Sequence, residues 1–239
     1  MARFRADTHI HTLLSPCGDI EMTPLGIVKG AREQGLDIIG ITDHNSTLQC
    51  EEVRRIAARE GLYVLCGAEI TTQEEVHCLV FVDFGEPLLA LQAYIDKYLP
   101  PIPNNTDLFG YQLVVNEQEE VLYEAPYLLI SALSQTIDQV EAEAHRLGGL
   151  FIPAHIDKPK NSLFSQLGFV PPGLKADALE IFRRSDIAEF RQAHPKLKYP
   201  LTCSSDAHYP NEIGRKYVFL DMDGINFENI KDAIAQGAL

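Results

Sequence analysis

Six of the eight histidines in this 239-residue chain lie in short motifs, most of them beside other groups that can bind a divalent cation. The first motif, residues 7–12, places Asp7, His9 and His11 at alternate positions, so on a β-strand their side chains share one face. Two adjacent imidazoles with a carboxylate beside them favour a metal site. The alternative is a solvated strand face.

The remaining ligand-type residues lie at the ends of predicted strands. They are Asp43 and His44 after strand 38–42, Glu69 after strand 62–66, His77 at the start of strand 77–82, His155 after strand 149–153, and Asp206 and His208 after strand 200–203. Each one alone is compatible with a helix cap or a surface turn. Because the carboxyl ends of parallel strands build sites in α/β folds, their joint occurrence favours a multinuclear metal site. His145 and His194 lie in or beside helical patterns and are expected at the surface.

The elements predicted around these motifs alternate between strands and helices, which indicates an α/β fold with a mostly parallel sheet. Helices are predicted from Pro24 to the residue before Gly35 and over 48–60, 136–147, 186–193 and 226–236, with further strands at 4–10, 178–182 and 215–221. We expect a single domain over residues 1–239, interrupted by an insertion at about 83–130. Within the insertion, residues 111–123 resemble a hairpin.

The amino-acid composition limits which classes of molecule this chain is expected to bind. With 34 acidic and 20 basic residues the chain has a net charge of −14, which argues against sequence-independent binding to nucleic acid without excluding it. The negative net charge is still compatible with a polyanionic substrate if metal cations in the site make the local electrostatic potential positive. No apolar stretch approaches the roughly 20 residues of a membrane span. Five dispersed cysteines without a CxxC pair, and no visible secretory signal, predict a reducing, cytoplasmic location.

The order of the motifs resembles the PHP (polymerase and histidinol phosphatase) family of metal-dependent phosphoesterases. The matching motifs are Asp-x-His-x-His-Thr, Thr-Asp-His, Gly-Ala-Glu, a strand-borne His, Ala-His and Ser-Asp-Ala-His, and they extend from residue 7 to residue 208. The resemblance implies a distorted (β/α)7 TIM-like barrel. It also implies two to three divalent ions (Zn, Fe or Mn) at the C-terminal ends of the strands.

The resemblance further implies which residues bind each ion. The first ion would be bound by His9, His11, Glu69 and Asp206, the second by Glu69, His77 and His155, and the third by His44, His208 and a residue of the loop after His11. Family members usually offer a His or Asp in that loop, whereas this chain offers Cys17 or Asp19. Cys17 fits the spacing better and favours zinc or iron, while Asp19 would favour manganese or magnesium. Asp43 and Asp7 would orient imidazoles.

This ligand set implies hydrolysis of a phosphate ester of a small metabolite or nucleotide. Ions bridged by Glu69 would lower the pKa of a shared water molecule, so that hydroxide attacks phosphorus without a protein nucleophile. Asp43 and His208 are grouped with Glu69 as catalytic candidates. The absence of a G-x-S-x-G elbow argues against a serine hydrolase.

Three cations following predicted strands or metal motifs are candidates for binding the substrate phosphate: Arg183, Arg215 and Lys158. Arginine offers bidentate geometry toward phosphate, which favours the first two. Two other functions stay open. One is amidohydrolase-type hydrolysis of a C–N bond, and the other is a non-catalytic metal-binding accessory domain in DNA replication or repair.

Overall fold

Short apolar strands and amphipathic helices alternate along most of the computed structural model, which describes residues 1–182 and 187–237. The strands are β1 Ala2–Ile10, β2 Ile38–Ile41, β3 Tyr63–Thr71, β4 His77–Phe81, β5 Leu113–Val115, β6 Val121–Glu124, β7 Leu150–Pro153, β8 Leu179–Glu180, β9 Leu201–Thr202 and β10 Val218–Met222. The helices are α1 Pro24–Glu33, α2 Cys50–Arg59, α3 Glu86–Tyr98, α4 Thr106–Phe109, α5 Ile137–Arg146, α6 Leu163–Gln166, α7 Ile187–Ala193 and α8 Phe227–Ala235. The predicted α/β class is confirmed.

The main sheet has six strands in the order β10-β1-β2-β3-β4-β7 and is curled like a half-barrel. The pairs β1–β2 and β2–β3 are parallel, but β10 is antiparallel to β1 and β4 is antiparallel to both of its neighbours. The expectation of a mostly parallel sheet was therefore wrong. The reason for β4 is the tight turn from Thr72 to Val76, which is too short for the crossover that a parallel pair requires.

Strands β8 and β9 form a separate parallel pair that is linked to both sides of the main sheet. The Ile156 N–H, just beyond β7, donates to the Glu180 carbonyl at 2.8 Å. On the other side, the His11 N–H donates to the Ala207 carbonyl at 2.9 Å, and the Ala207 N–H donates to the His9 carbonyl at 3.2 Å. These bonds bring the ends of β1, β7, β8 and β9 to one region of the molecule.

The insertion contains the predicted hairpin, formed by β5 and β6, together with helix α3, which the sequence analysis did not identify. It is attached to the loop that follows β1 by a small hydrophobic cluster of Leu14, Val114, Ala125 and Leu129. This segment thus shares a small core with the loop after β1. No helix among residues 1–182 and 187–237 is long and apolar enough to cross a membrane.

Strands β1 and β2 pack so closely that one position requires glycine. An added Cβ at Gly40 would lie 2.3 Å from the carbonyl oxygen of Thr8, a backbone atom of β1. Since β1 carries His9 and leads into His11, and β2 leads into Asp43 and His44, this contact sets the separation of two of the motifs identified in the sequence.

We expect Gly40→Ala to lower the free energy of unfolding by at least about 2 kcal/mol, because the new methyl group forces two paired strands apart. Gly224→Ala is the matched control, since an added Cβ there meets no atom within 4 Å. It should change stability by less than about 0.5 kcal/mol. Denaturant unfolding of both variants measures the difference. Equal stability of the two variants would contradict the close approach.

Candidate metal centre

The ligand-type residues found in the sequence converge at one edge of the sheet. His9 and His11 lie at the end of β1 and His155 lies just beyond β7. Because β4 is antiparallel to β3 and β7, its first residue, His77, reaches the same edge as the C-terminal ends of its neighbours. The loop after β9 brings Asp206 and His208 there through its bridge to the end of β1.

Glu69 is the centre of this group and is only 1% exposed. Its Oε1 lies 3.0 Å from His77 Nδ1 and 3.0 Å from His155 Nε2. Its Oε2 lies 3.1 Å from His44 Nδ1. The Nε2 atoms of His9 and His11 are each 3.4 Å from one of the two oxygens. Five imidazoles therefore surround a single buried carboxylate.

A second carboxylate, Asp206, shares two of these imidazoles. Its Oδ1 lies 3.3 Å from His9 Nε2 and 3.4 Å from His11 Nε2. The ring of His208 stacks on His11, with the centroids 4.2 Å apart. Side chains whose ligand atoms lie within 4.8 Å of one another form three sets: His9, His11 and Asp206; His44, Glu69 and His77; and His11, Cys17, His44 and His208.

The chemistry of these residues fits divalent metal ions. The Nδ1 atoms of His44 and His77 are buried and face Glu69, yet neither makes a hydrogen bond. Burial lowers the pKa of His44 well below its usual value and that of His208 to about 4, so both rings are neutral and can donate a lone pair. Imidazole nitrogen, carboxylate oxygen and a thiol are the donors that zinc, iron and manganese accept.

Of the two residues considered for the loop position, the structure brings Cys17 into a set with three imidazoles. Asp19 makes a local turn instead, in which its Oδ1 accepts a hydrogen bond from the Glu21 N–H at 2.8 Å. Cys17 is exposed, whereas the other four cysteines are buried. Its position makes the thiol the better candidate for a third ion.

Asp43 acts on the centre through the loop after β1 rather than by touching an imidazole. Its carboxylate accepts hydrogen bonds from the Thr12 N–H at 2.7 Å, the Thr12 hydroxyl at 2.8 Å and the Ser15 hydroxyl at 2.7 Å. Because the Ser15 hydroxyl donates to Asp43, its oxygen accepts from Nδ1–H of His11 at 3.0 Å. This fixes the proton of His11 on Nδ1 and leaves Nε2 free for a cation.

Asp7 likewise supports the site without contacting an imidazole nitrogen in the described structure. It accepts hydrogen bonds from the Ser205 N–H at 2.9 Å and the Gly214 N–H at 2.8 Å. Burial raises its pKa to about 6 even though these bonds oppose the shift. Its role is thus to hold the loop that carries Asp206, and the expectation that it orients an imidazole was wrong.

Glu180, at the end of β8, is a functional candidate that the sequence analysis missed. It is buried and accepts a hydrogen bond from Nδ1 of His9 at 3.1 Å and from the His155 N–H at 2.9 Å. Burial opposes its ionisation, but the charges of His9 and His155 outweigh this and keep the pKa of Glu180 below its usual range. The feature of the sequence that could have identified Glu180 is that it is a carboxylate inside the apolar run Leu179–Phe182.

The three basic residues predicted to bind phosphate differ in where the structure places them. Lys158 Nζ pairs with Asp206 at the centre. Arg215 is 59% exposed, and its guanidinium lies 3.8 Å from Glu212. Arg183 lies outside the described residues.

The two histidines expected at the surface take no part in the cluster. His145 pairs with Asp177 at 3.0 Å, and the ring of His194 lies against Phe164 and Phe190. Both are partly buried rather than fully exposed.

Three residues at the centre have left-handed backbone conformations that favour glycine. They are Asn45 with φ of 43°, His155 with φ of 29° and Asp206 with φ of 55°. Such conformations cost on the order of 1 kcal/mol or more each and concentrate at functional sites. Here they turn two ligand-type side chains back toward Glu69.

Comparison with known proteins agrees with this geometry. A family model described as PHP domain matches residues 7–156, and a model described as PHP-associated matches residues 190–239. Uncharacterized protein YqxK of Bacillus subtilis is 26% identical over 95% of this chain and 60% of its own length. The chain therefore spans less than two thirds of this curated relative.

Solved structures with low identity share the fold. The lesion-specific endonuclease EndoQ of Pyrococcus furiosus superposes with a TM-score of 0.69 at 22% identity, covering 98% of this chain and 56% of that one. An amidohydrolase of Chromobacterium violaceum gives 0.62 at 17%, with 96% of both chains covered. A two-domain Bacteroides vulgatus protein containing a predicted PHP-like metal-dependent phosphoesterase gives 0.56 at 15%, covering 98% and 63%.

Replacing Glu180 by Gln should weaken metal binding about tenfold to a hundredfold, because His9 loses the carboxylate that fixes its tautomer. Titration of the metal-free protein with Mn²⁺ measures this. Glu228→Gln, at a side chain that is 72% exposed, is the control and should bind as the wild type does. Unchanged affinity in Glu180→Gln would show that the carboxylate does not support the centre.

Replacing Cys17 by Ser should lower the metal content by about one ion per chain, since a hydroxyl is a far weaker ligand than a thiolate. Elemental analysis after reconstitution measures the loss. Asp19→Asn serves as the partner variant and should keep the full content. The opposite pattern would transfer the ligand role to Asp19.

Proposed function

Because the chain belongs to the PHP domain family, we propose that it is a metal-dependent hydrolase that cleaves a phosphate ester of a small metabolite or nucleotide. The observation that carries this proposal is the buried Glu69 carboxylate surrounded by five imidazoles, with Asp206 beside it. A purely structural cluster would not require so many nitrogen donors around one carboxylate.

The proposed architecture is a distorted (β/α)7 barrel in one domain over residues 1–239. The hydrogen bonds that link the β8–β9 pair to β7 and β1 support it, because they join seven strands around the centre. Strand β10 lies outside this ring as the antiparallel neighbour of β1.

We propose two to three divalent ions, either zinc, iron or manganese. Glu69 would be shared by the first two, with His9, His11 and Asp206 on one side and His77 and His155 on the other, and the third would use His44, His208 and Cys17. When bound, the ions would supply hydroxide at neutral pH and stabilise negative charge on the phosphoryl oxygens.

The chain's own residues prepare this chemistry. Hydrogen bonds to Glu180 and Ser15 fix the tautomers of His9 and His11, so that both Nε2 atoms face inward. Asp43 is a positioning residue in this scheme, because its oxygens are all engaged with the loop after β1. Lys158, beside Asp206, would pair with a phosphoryl oxygen, and Arg215 and Arg183 are further candidates for that role.

Two alternative functions follow from proteins of similar fold. The Chromobacterium violaceum neighbour is described as an amidohydrolase, which keeps hydrolysis of C–N bonds as a candidate reaction. An EndoQ structure contains a duplex with an abasic lesion, which keeps DNA as a candidate substrate and an accessory role in repair as a candidate function. The net charge of −14 favours a small substrate over a long polyanion. Five dispersed cysteines without a CxxC pair agree with a reducing cytoplasm.

A substrate panel tests the function. Purified protein, supplied separately with Mn²⁺, Zn²⁺ or Fe²⁺, should release phosphate from at least one small phosphate ester and not from amide substrates. Release of an amine without phosphate would favour the amidohydrolase, and cleavage restricted to a lesion-containing duplex would favour the nuclease. No turnover at full metal content would favour a non-catalytic role.

Glu69→Gln should lower phosphate release by at least about a hundredfold, because it removes the charge that two ions share while preserving shape. Glu33→Gln, at an exposed residue of α1, is the control and should retain full activity. A Glu69→Gln protein with near-normal turnover would show that this carboxylate is not the bridge.

A further inference from the structure

Two lysines lie against the ring of Phe182, just after β8. Lys216 Nζ is 3.9 Å from the ring centroid and also donates a hydrogen bond to the Phe182 carbonyl at 2.7 Å. Lys158 Nζ is 4.8 Å from the same centroid and pairs with Asp206. An aromatic face attracts cations, so both ammonium groups are held at the ring of Phe182.

The position of this ring is fixed relative to the metal centre. The Phe182 N–H donates to Asp157 Oδ1 at 2.6 Å, so both backbone groups of Phe182 are engaged. Phe182 follows Glu180 by two residues, and Glu180 bonds His9. Since Lys158 reaches both the ring and Asp206, the two lysines and Phe182 form one cationic patch at the rim of the centre.

The charge of this patch is unusual for the chain. The molecule carries 14 more acidic than basic residues, yet Lys216 has no carboxylate within ion-pair distance in the part of the chain that is described. Lys158 is already paired with Asp206, so Lys216 is the ammonium group that an incoming phosphate or carboxylate would neutralise. The patch is thus arranged to receive an anion.

We propose that Lys216 forms a subsite for a second anionic group of the substrate, distinct from the phosphate that is cleaved and next to Lys158, which would meet that phosphate. This inference rests on the proposed function. Lys158 touches Asp206 and so reaches the scissile phosphate, whereas Lys216 contacts none of the ligand-type residues in the described structure. Lys216 therefore meets a group farther along the substrate. The preferred substrates are phosphate esters that carry an additional carboxylate or phosphate.

Binding of two phosphonates tests the subsite, because their C–P bond is not hydrolysed. Phosphonopropionate and propylphosphonate differ only in a carboxylate that replaces a methyl group. Calorimetry on the manganese-loaded wild type should show at least about tenfold tighter binding of phosphonopropionate, as expected for one charge-assisted hydrogen bond. Lys216→Met should abolish this preference and leave the affinity for propylphosphonate unchanged.

Two further variants complete the test. Lys216→Arg keeps the charge and should retain the preference. Lys160→Met removes an exposed charge two residues from Lys158 and should also retain it. Should Lys216→Met fail to fold, judged by its unfolding midpoint, Lys216→Gln takes its place with the same expected loss.

Each remaining outcome has a defined meaning. Equal binding of the two phosphonates by the wild type overturns the subsite, whatever the substrate panel shows for phosphate release. Equal weakening of both phosphonates in Lys216→Met also overturns it, because Lys216 would then contact the scissile phosphate itself. Failure of the wild type to bind either phosphonate, together with no phosphate release in the panel, overturns the proposed function as well.

Discussion

A carboxylate with 1% of its surface exposed is the constraint around which this molecule is arranged. Burial alone would protonate Glu69, but the surrounding imidazoles outweigh it and hold its pKa well below the usual range. A buried charge costs several kcal/mol unless opposite charge and hydrogen bonds compensate it. Imidazoles carried by or next to β1, β2, β4 and β7 supply that compensation, and so the fold and the centre cannot be separated.

A second ring of interactions determines which nitrogen of each imidazole faces inward. Glu180 acts on His9, Ser15 acts on His11, and the Asp206 carbonyl accepts from Nδ1 of His208 at 2.9 Å. Each of these acceptors holds a proton on the outer nitrogen, so that the inner nitrogen is the one that faces the centre. The backbone positions the loops, the loops position the hydrogen-bond acceptors, and the acceptors orient the imidazoles. The geometry of the centre is therefore determined before any cation binds.

The residues that the sequence groups by type and spacing do lie close together in the structure, although their role as ligands stays a prediction. The i, i+2 pairs His9/His11 and Asp206/His208 each meet at the edge of the sheet where they were expected. Glu180 was missed because its partner, His9, is 171 residues away and only the tertiary fold joins them. The antiparallel β4 was missed for a different reason. Buried strands of either direction have the same apolar pattern, and only the short turn before β4 decides its direction.

The insertion and the Cys17 loop share the hydrophobic cluster that contains Leu14 and Leu129. Their stabilities are therefore thermodynamically linked. Whatever orders the loop also favours the docked insertion, and whatever displaces the insertion weakens the loop by the same free energy. Sequence change in the insertion is thus constrained at Val114, Ala125 and Leu129, although these residues contribute no ligand atom. Strand β6 is exposed and, in the part of the chain that is described, takes part only through its backbone pairing with β5.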